Sequence, residues 1–397
     1  MTNRTVLLTG ATGIMGSWVL GEALARGYRP IVLMRDPDRI RAHERLDTVL
    51  RHVNRLADRS RVHVVQGDTR RPHLGLADDL VRQLRRSVDM LIHCAACTSF
   101  RPDQDDEVWA TNVGGVVNLL EFLRDTDIPY YHVSTAYVSG SRNVRVFESE
   151  LDNSYGFNNT YERSKYKAEK LVRQAFDEGR LRGAVFRPSI IVGSTQDGRI
   201  LQFMNFYNIL RIVDLMASRR PNGAATVRMM ASEQGTKNLI PVDWTAQAVW
   251  HIIEREGCSG LAYHLTNPNP IAHAEMRAWA NNILRRNRLR IRLTSELDGD
   301  VSSLESLLEA RLSNYRPYLV GEPQFDRANT DRALDGVLPF PRIDTAYFDM
   351  LVAFARAERW RSQFDRRPSP GHIPDECEFR PVAATAGALA YDANSPT

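Results

Sequence analysis

The sequence contains few cysteines, no long apolar run and little net charge. Four cysteines in 397 residues are too few for a disulfide framework, which favours a reducing, cytoplasmic compartment. No run approaches the roughly 20 apolar residues of a membrane-spanning helix, which excludes an integral membrane protein, and the N-terminal segment shows no signal-peptide pattern. The 52 basic and 48 acidic residues give a net charge of +4, too small to indicate nucleic-acid binding.

Short apolar runs alternate with longer, polar, helix-compatible stretches. With 43% hydrophobic and 25% charged residues, the composition is that of a globular protein. Six runs are interpreted as buried strands: 5–10, 31–34, 62–65, 90–93, 130–133 and 183–186. Strands and helices that alternate at this spacing predict an α/β fold, a Rossmann-type doubly wound parallel sheet.

The pattern loosens after about residue 195. The apolar stretch 203–217 predicts a helix, and 273–357 reads as mostly helical. Residues 238–242 and 261–265 resemble strands that return to the sheet. We therefore expect a sheet domain of residues 1–194 plus 238–265, a smaller, mainly helical domain of residues 195–237 plus 266–367, and a loosely ordered tail of residues 368–397.

A glycine-rich segment, TGATGIMG, lies between the first predicted strand and the first predicted helix. Its GxxGxxG spacing allows a tight turn and a close approach of the backbone to a phosphate, while the helix N-terminus offers N–H donors. This position predicts a dinucleotide site rather than merely a flexible turn. The expected contacts are Gly10, Thr12, Gly13, Ile14, Met15 and Gly16.

The end of the second predicted strand bears on which nicotinamide cofactor binds. Arg35 stands there, with Arg39 one helical turn later, and an arginine suits the 2′-phosphate of NADPH. Asp36 weakens this interpretation because a carboxylate suits the ribose hydroxyl of NAD. Asp68, at the end of the third strand, is placed either to bind the adenine or to cap a loop. We predict NADPH, bound by the sheet domain, with the substrate bound by the helical domain.

Tyr161 and Lys165 form a Y-x-x-x-K pattern whose spacing places both side chains on one face of a helix. Ser134 and Thr135 follow the fifth predicted strand. Reduction of a carbonyl needs a proton donor and a second group that holds the oxygen. A tyrosine beside an ammonium group, together with a hydroxyl at a strand end, fits that chemistry.

The order of seven segments carries a family resemblance: TGATGIMG, HCAACTSF, TNVGGVVNLLE, HVSTAYVSG, NNTYERSKYKAE, FRPSIIVG and NLIPVD. Over about residues 1–265 the chain resembles an extended short-chain dehydrogenase/reductase. More narrowly, it is similar to the branch of fatty acyl-CoA reductases (male-sterility proteins) and carrier-protein thioester reductases. Residues 317–334 resemble the C-terminal region of these reductases more faintly.

The resemblance implies roles for individual residues. Tyr161 would donate the proton, Lys165 would hold the nicotinamide ribose and lower the pKa of Tyr161, and Thr135 would be the second hydroxyl. Asn112 matches a proton-relay asparagine, although a structural helix N-cap is an alternative. Further residues expected to lie against the cofactor are Ala95, Pro188, Ser189 and Ile190.

The resemblance further implies NADPH-dependent reduction of an acyl thioester, carried by CoA or an acyl carrier protein, to an aldehyde or onward to an alcohol. Alternatives are a carbonyl reductase of a secondary metabolite or steroid, a sugar-nucleotide epimerase or dehydratase, and a cofactor-sensing protein. The expected substrate contacts are Thr135, Tyr137, Phe203 and Phe206, although 203–217 could be a plain core helix.

Partners and further ligands follow less directly from the sequence. Five arginines between 285 and 292 predict either a solvated helix end or a docking site for an acidic carrier protein or the CoA phosphates. No metal is expected, because Cys94 and Cys97 have no second cysteine or histidine pair nearby. A monomer or homodimer and a peripheral membrane contact stay open.

Overall fold

The computed structural model describes residues 4–365 except Pro37 and residues 219–223, so the predicted tail of residues 368–397 lies outside the described residues. Within the described residues, seven parallel strands form the central sheet in the order β3-β2-β1-β4-β5-β6-β11. The strands are β1 Thr5–Thr9, β2 Arg29–Met34, β3 His63–Gln66, β4 Met90–His93, β5 Tyr130–Val133, β6 Gly183–Pro188, β7 Ile190–Val192, β8 Ala225–Met230, β9 Thr236–Lys237, β10 Leu239–Pro241, β11 Ala262–Leu265, β12 Ile271–Ala272 and β13 Leu289–Thr294.

Helices follow most of these strands. They are α1 Ile14–Ala25, α2 Arg39–His52, α3 Asp78–Ser87, α4 Asp105–Trp109, α5 Gly115–Leu123, α6 Thr160–Asp177, α7 Phe206–Ala217, α8 Val242–Glu256, α9 His273–Leu284, α10 Ser303–Leu312, α11 Arg316–Val320, α12 Ala328–Leu334 and α13 Thr345–Ala357. No helix among the described residues is long and apolar enough to cross a membrane.

Both faces of the central sheet are covered, as the continuous apolar strands require. Successive side chains of β1 enter different cores: Val6 and Leu8 pack with α1, α2 and α8, whereas Leu7 packs with α3, α5 and α6. Because alternate residues of a strand face opposite sides, helices lie on both faces. The predicted Rossmann-type doubly wound fold is confirmed.

A third hydrophobic core, here called the C-terminal core, is built from α7, α9, α10, α13 and the parallel pair β8–β13. It contains Leu210, Trp279, Ile291, Leu312 and Phe348, all buried. These elements of the second half of the chain therefore form a packed, mainly helical region beside the sheet, whereas α8 and β11 belong to the sheet and its core.

Two sequence predictions in this half need correction. The strand expected at 238–242 is shorter, Leu239–Pro241, and it pairs with β7 in a separate two-stranded sheet rather than returning to the central one. Only 261–265 joins the central sheet, as β11 beside β6. A short apolar run indicates a strand but carries no information about which strand it pairs with.

The arginine-rich segment matches the predicted helix end only in part: Arg285, the C-cap of α9, and Arg286 are exposed there. Residues Arg285–Asn287 form a 3-10 turn, Arg288 has a left-handed backbone with φ of 56°, and β13 follows. Leu289, Ile291 and Leu293 face the core, while Arg290 and Arg292 are exposed. Alternation along a strand, not a helix end, places these arginines on the surface.

Candidate active site

The glycine loop after β1 turns sharply, and two of its glycines have no space for a Cβ atom. The Gly13 amide donates to the Gly10 carbonyl at 2.9 Å. Gly10 has φ of +75°, and a Cβ atom there would lie 2.4 Å from the Ala95 backbone nitrogen. A Cβ at Gly16 would lie 2.1 Å from the Gly10 carbonyl oxygen. Both positions therefore require glycine, and the loop stays close to the end of β4.

The N-terminus of α1 is suited to bind an anion. Its N-cap is Gly13, which offers no side-chain hydrogen bond, and its first turn carries no acidic residue. The backbone N–H groups there thus have no capping side chain among the described residues. Gly13, Ile14 and Met15 also line a large cavity at this edge of the sheet. This cradle fits the pyrophosphate of a dinucleotide.

At the end of β2, the side chain of Arg35 is exposed and that of the neighbouring Asp36 is buried. The Arg35 side chain is 55% exposed, and its guanidinium lies 3.6 Å from the Glu107 carboxylate, which Arg70 also approaches at 3.9 Å. Asp36 is buried and lies 3.6 Å from Arg45. The acid that weakened the NADPH prediction therefore already has a cationic partner.

Asp68, a candidate for binding adenine, is hydrogen-bonded to Arg70. Its Oδ2 accepts from the Arg70 Nη2 at 2.7 Å, and its Oδ1 accepts from the Arg70 backbone amide at 3.0 Å. Burial favours a raised pKa for this carboxyl, but the hydrogen bonds and charge of Arg70 lower it below its usual value. The loop-cap alternative matches this geometry.

A cavity of about 270 Å³ opens between the carboxyl end of the sheet and the C-terminal core. Its sheet side includes Ser134, Thr135, Tyr161, Lys165 and Pro188. The far side is formed by Gln202, Met204, Asn205, Phe206, Ile209, Lys237, Tyr315, Tyr318 and Leu319. One space is therefore lined by the predicted catalytic residues Tyr161 and Lys165, by Ser189 and Ile190, and by the glycine loop. We call it the catalytic cavity.

Thr135 and Tyr161 form the polar centre of this cavity. Both side chains line the cavity, and the Thr135 Oγ1 donates to the Pro188 carbonyl at 3.4 Å. Burial raises the pKa of Tyr161 to about 12, although the nearby Thr135 hydroxyl opposes the shift. The phenol is therefore protonated at neutral pH. Its ring packs against Phe100 with ring centres 5.9 Å apart.

Lys165 is fixed below the cavity. Its Nζ donates to the Val133 carbonyl at 2.8 Å, and the residue is 1% exposed. Burial lowers the pKa of its ammonium to about 8, against the opposing charge of Glu169. The pKa of Tyr161 is raised by burial, and the lowering expected from Lys165 stays a prediction.

Asn112 holds two parts of the site together. Its side-chain oxygen accepts from the Cys97 amide at 2.8 Å, and its amide group donates to the Cys97 carbonyl at 3.0 Å and to Ser164 Oγ at 2.9 Å. It lies inside a π-helical turn, Ala110–Gly114, so the N-cap alternative is wrong. The segment after β4 is thereby joined to α6, which carries Tyr161.

A buried ionic network lies beneath the catalytic residues. Ser134 Oγ donates to Glu169 Oε2 at 2.6 Å, and the Arg187 Nε donates to Glu169 Oε1 at 3.0 Å. The side chains of Glu169 and Arg187 are both 0% exposed. Glu169 lies on α6 and Arg187 on β6, so this ion pair ties the helix of Tyr161 to the sheet.

Sequence reasoning missed a second buried group on the far side. The Tyr137 hydroxyl donates to Glu322 Oε2 at 2.9 Å, and the Lys237 ammonium lies 3.5 Å from the same oxygen. Burial raises the pKa of Glu322, which Lys237 opposes, and lowers that of Lys237, which Glu322 opposes. Glu322 lies within residues 317–334, which faintly resemble the C-terminal region of the reductases. That resemblance was the one sequence signal that could have pointed to Glu322.

Of the two phenylalanines expected at the substrate, Phe206 lines the cavity. Phe203 does not line it; its ring packs against Tyr207, Phe354 and Trp360 at centre distances of 5.3 to 6.1 Å. One turn of chain before α7 directs Phe203 into the C-terminal core. Tyr315 and Tyr318, which the sequence analysis did not select, line the cavity instead.

Comparisons with known proteins agree with this geometry. The isonitrile lipopeptide synthase of Mycobacterium tuberculosis is 31% identical over 298 residues, which cover 67% of this chain and 12% of the relative. A carboxylic acid reductase of Mycobacterium marinum is 28% identical over 295 residues, which cover 67% of this chain and 24% of the relative. This chain thus spans less than a quarter of the length of either protein.

The crystal structure of the terminal R domain from the myxalamid PKS-NRPS biosynthetic pathway superposes with a TM-score of 0.76 and 25% identity, covering 91% of this chain and 93% of that one. Residues 8–249 match the family model described as male sterility protein, an NAD-binding family. That range includes the glycine loop, Thr135, Tyr161 and Lys165. The chain therefore belongs to the male sterility family, in the reductase branch of the extended short-chain dehydrogenases.

Proposed function

We propose that this chain is an NADPH-dependent reductase that converts an acyl thioester to an aldehyde. The observation that carries the proposal is the Thr135–Tyr161 hydroxyl pair in a cavity that the glycine loop also lines. Relatives named as a carboxylic acid reductase and as a terminal R domain support a reductase assignment.

The residues of this chain account for the oxygen chemistry. A bound nicotinamide supplies hydride to the thioester carbonyl. Thr135 and Tyr161 hold the carbonyl oxygen as it gains negative charge, and the Tyr161 phenol transfers its proton to that oxygen. A phenol with a pKa of about 12 is in the protonated form that this donation needs. The resulting hemithioacetal releases the thiol and leaves the aldehyde.

The residues around the glycine loop would hold the cofactor. The α1 N-terminus would bind the pyrophosphate. Arg35 would bind the 2′-phosphate, since its ion pair with Glu107 is exposed and open to exchange, whereas Asp36 is buried beside Arg45. Replacing Arg35 with alanine should raise the KM for NADPH by about 10- to 100-fold, the value of a charged hydrogen bond, and leave the KM for NADH nearly unchanged. Equal KM values for NADPH before and after the change would contradict this choice of cofactor.

The test of the function is NADPH consumption by the purified protein with acyl thioesters on a carrier protein, on CoA and on pantetheine. Matching free aldehydes and ketones serve as the comparison, and released thiol and product are measured. Thioester-dependent oxidation with one thiol per aldehyde supports the proposal. Oxidation with ketones or aldehydes but with no thioester would overturn it. Primary alcohol as the product would show a second hydride transfer.

A further inference from the structure

A second cavity, here called the inner cavity, lies within the C-terminal core and has a volume of about 50 Å³. Most of its wall is aliphatic or aromatic and comes from α7, α9, α10, β8 and β13. The apolar lining residues include Phe206, Ile209, Val213, Ala280, Leu312 and Leu319, and Lys237, His273 and Arg277 complete the wall. A cavity with such a wall excludes water and receives apolar groups.

One layer of side chains separates the inner cavity from the catalytic cavity. Phe206, Ile209, Lys237 and Leu319 line both spaces. Helix α7 runs along them: Phe206 and Ile209 face both cavities, and Val213 faces the inner one alone. At 1.5 Å per residue, the path from Phe206 to Val213 is about 10 Å long.

Lys237 is the charged residue of this boundary. The residue is 2% exposed, its Nζ is fully covered, and the ammonium lies 3.5 Å from Glu322 Oε2. Glu322 in turn accepts from Tyr137 at 2.9 Å. The Lys237 charge is thus balanced by a carboxylate, and the other three residues of the layer, Phe206, Ile209 and Leu319, are apolar.

We propose that the inner cavity receives the far, aliphatic end of the acyl group whose carbonyl lies at Thr135 and Tyr161, and that it sets the preferred chain length. This inference rests on the proposed function. Side-chain rotation of Ile209 and Leu319 would open the layer. A volume of 50 Å³ accommodates about three to four groups of the size of a methylene.

Chain length should therefore affect reaction efficiency in a stepwise manner. Each methylene transferred from water to the inner cavity increases kcat/KM by about three- to fourfold. An acyl chain that fills the inner cavity should be favoured about 30- to 250-fold over one that stops at the boundary layer. Chains longer than the cavity should gain nothing more.

The experiment measures kcat/KM for pantetheine thioesters from butanoyl to hexadecanoyl. Ala280→Leu fills the inner cavity and should reduce the preference for long chains at least tenfold. The kcat/KM for the butanoyl thioester should stay within twofold of the wild-type value. Leu312→Ala enlarges it and should move the optimum to longer chains. Leu284→Ala is the matched control, because Leu284 is buried in the same core but does not line the cavity.

Direct binding separates this inference from the proposed function. Calorimetry with dodecanol should show binding to the wild-type protein and at least tenfold weaker binding to Ala280→Leu. If no thioester is reduced but this difference persists, the reductase proposal fails and the inner cavity remains an alkyl site. If butanoyl and dodecanoyl thioesters react equally well, or if Leu284→Ala moves the profile as Leu312→Ala does, the inference is overturned.

Discussion

On the sheet side of the catalytic cavity, Ser134 and Lys165 are held by charged and backbone hydrogen bonds of 2.6 and 2.8 Å. On the opposite side, Phe206 and Leu319 pack within an apolar core. Directional bonds allow one position for a reacting group, whereas apolar packing tolerates changes of shape at a small cost. We infer that the sheet side determines the chemistry and the C-terminal side determines which acyl group enters.

The largest effect should follow from removing the proton donor on the sheet side. Tyr161→Phe deletes one hydroxyl and should lower kcat by about 10²- to 10⁴-fold, since no other group would protonate the oxygen. NADPH affinity, measured by fluorescence titration, should stay unchanged. Tyr166→Phe is the control, because Tyr166 lies on the same helix and its ring packs against Phe157. Near wild-type turnover of Tyr161→Phe would refute the assignment.

The buried ion pair beneath Ser134 should dominate stability on the same side. Glu169→Gln leaves the Arg187 guanidinium buried beside a neutral amide, and the free energy of unfolding should fall by about 3 to 5 kcal/mol. Urea unfolding at neutral pH measures this loss. Glu178→Gln, at the exposed end of α6, should change stability by less than about 0.5 kcal/mol. If both variants lost the same free energy of unfolding, the buried ion pair would contribute no more to stability than an exposed carboxylate does.

A smaller effect should appear in the pH dependence of kcat/KM for NADPH. Lys165 has a pKa of about 8 because it is buried, so its positive charge is present below that pH and is lost above it. If the ammonium holds the nicotinamide ribose, kcat/KM for NADPH should fall about tenfold per pH unit above pH 8. Tyr161, with a pKa of about 12, stays protonated throughout that range. Lys165→Arg keeps its charge, so a profile identical to that of the wild type would contradict this role.

The smallest effect concerns the outer surface of the C-terminal side. Arg290 and Arg292 are exposed on β13, and neither forms an ion pair with any described residue. If an acidic carrier protein docks there, the double change to glutamate should raise KM for the carrier-bound thioester by about tenfold at low salt. KM for the pantetheine thioester should not change. The control reverses Arg51 and Arg86, exposed on α2 and α3; an equal rise there would indicate a nonspecific charge effect.

Several parts of the fold and site were predictable because their signals are local. Alternating apolar runs correspond to strands β1 to β6, and the glycine spacing corresponds to the loop before α1. Asn112 was selected by its motif, but its bonds to Cys97 and Ser164 depend on how α6 packs. Phe203 was misplaced because an apolar residue near a helix start can face either the cavity or the core.

By itself, the sequence determined the doubly wound sheet, the glycine cradle, the tyrosine and lysine on one helix face and the threonine after a strand end. Each depends on residues close together in the chain, where backbone geometry links sequence spacing to position. Tertiary structure alone decided the rest: Tyr137 meets Glu322 across 185 residues, and Phe206, Lys237 and Leu319 come together between two cavities. Such contacts depend on how separate elements pack, and apolar packing leaves no fixed spacing in the sequence.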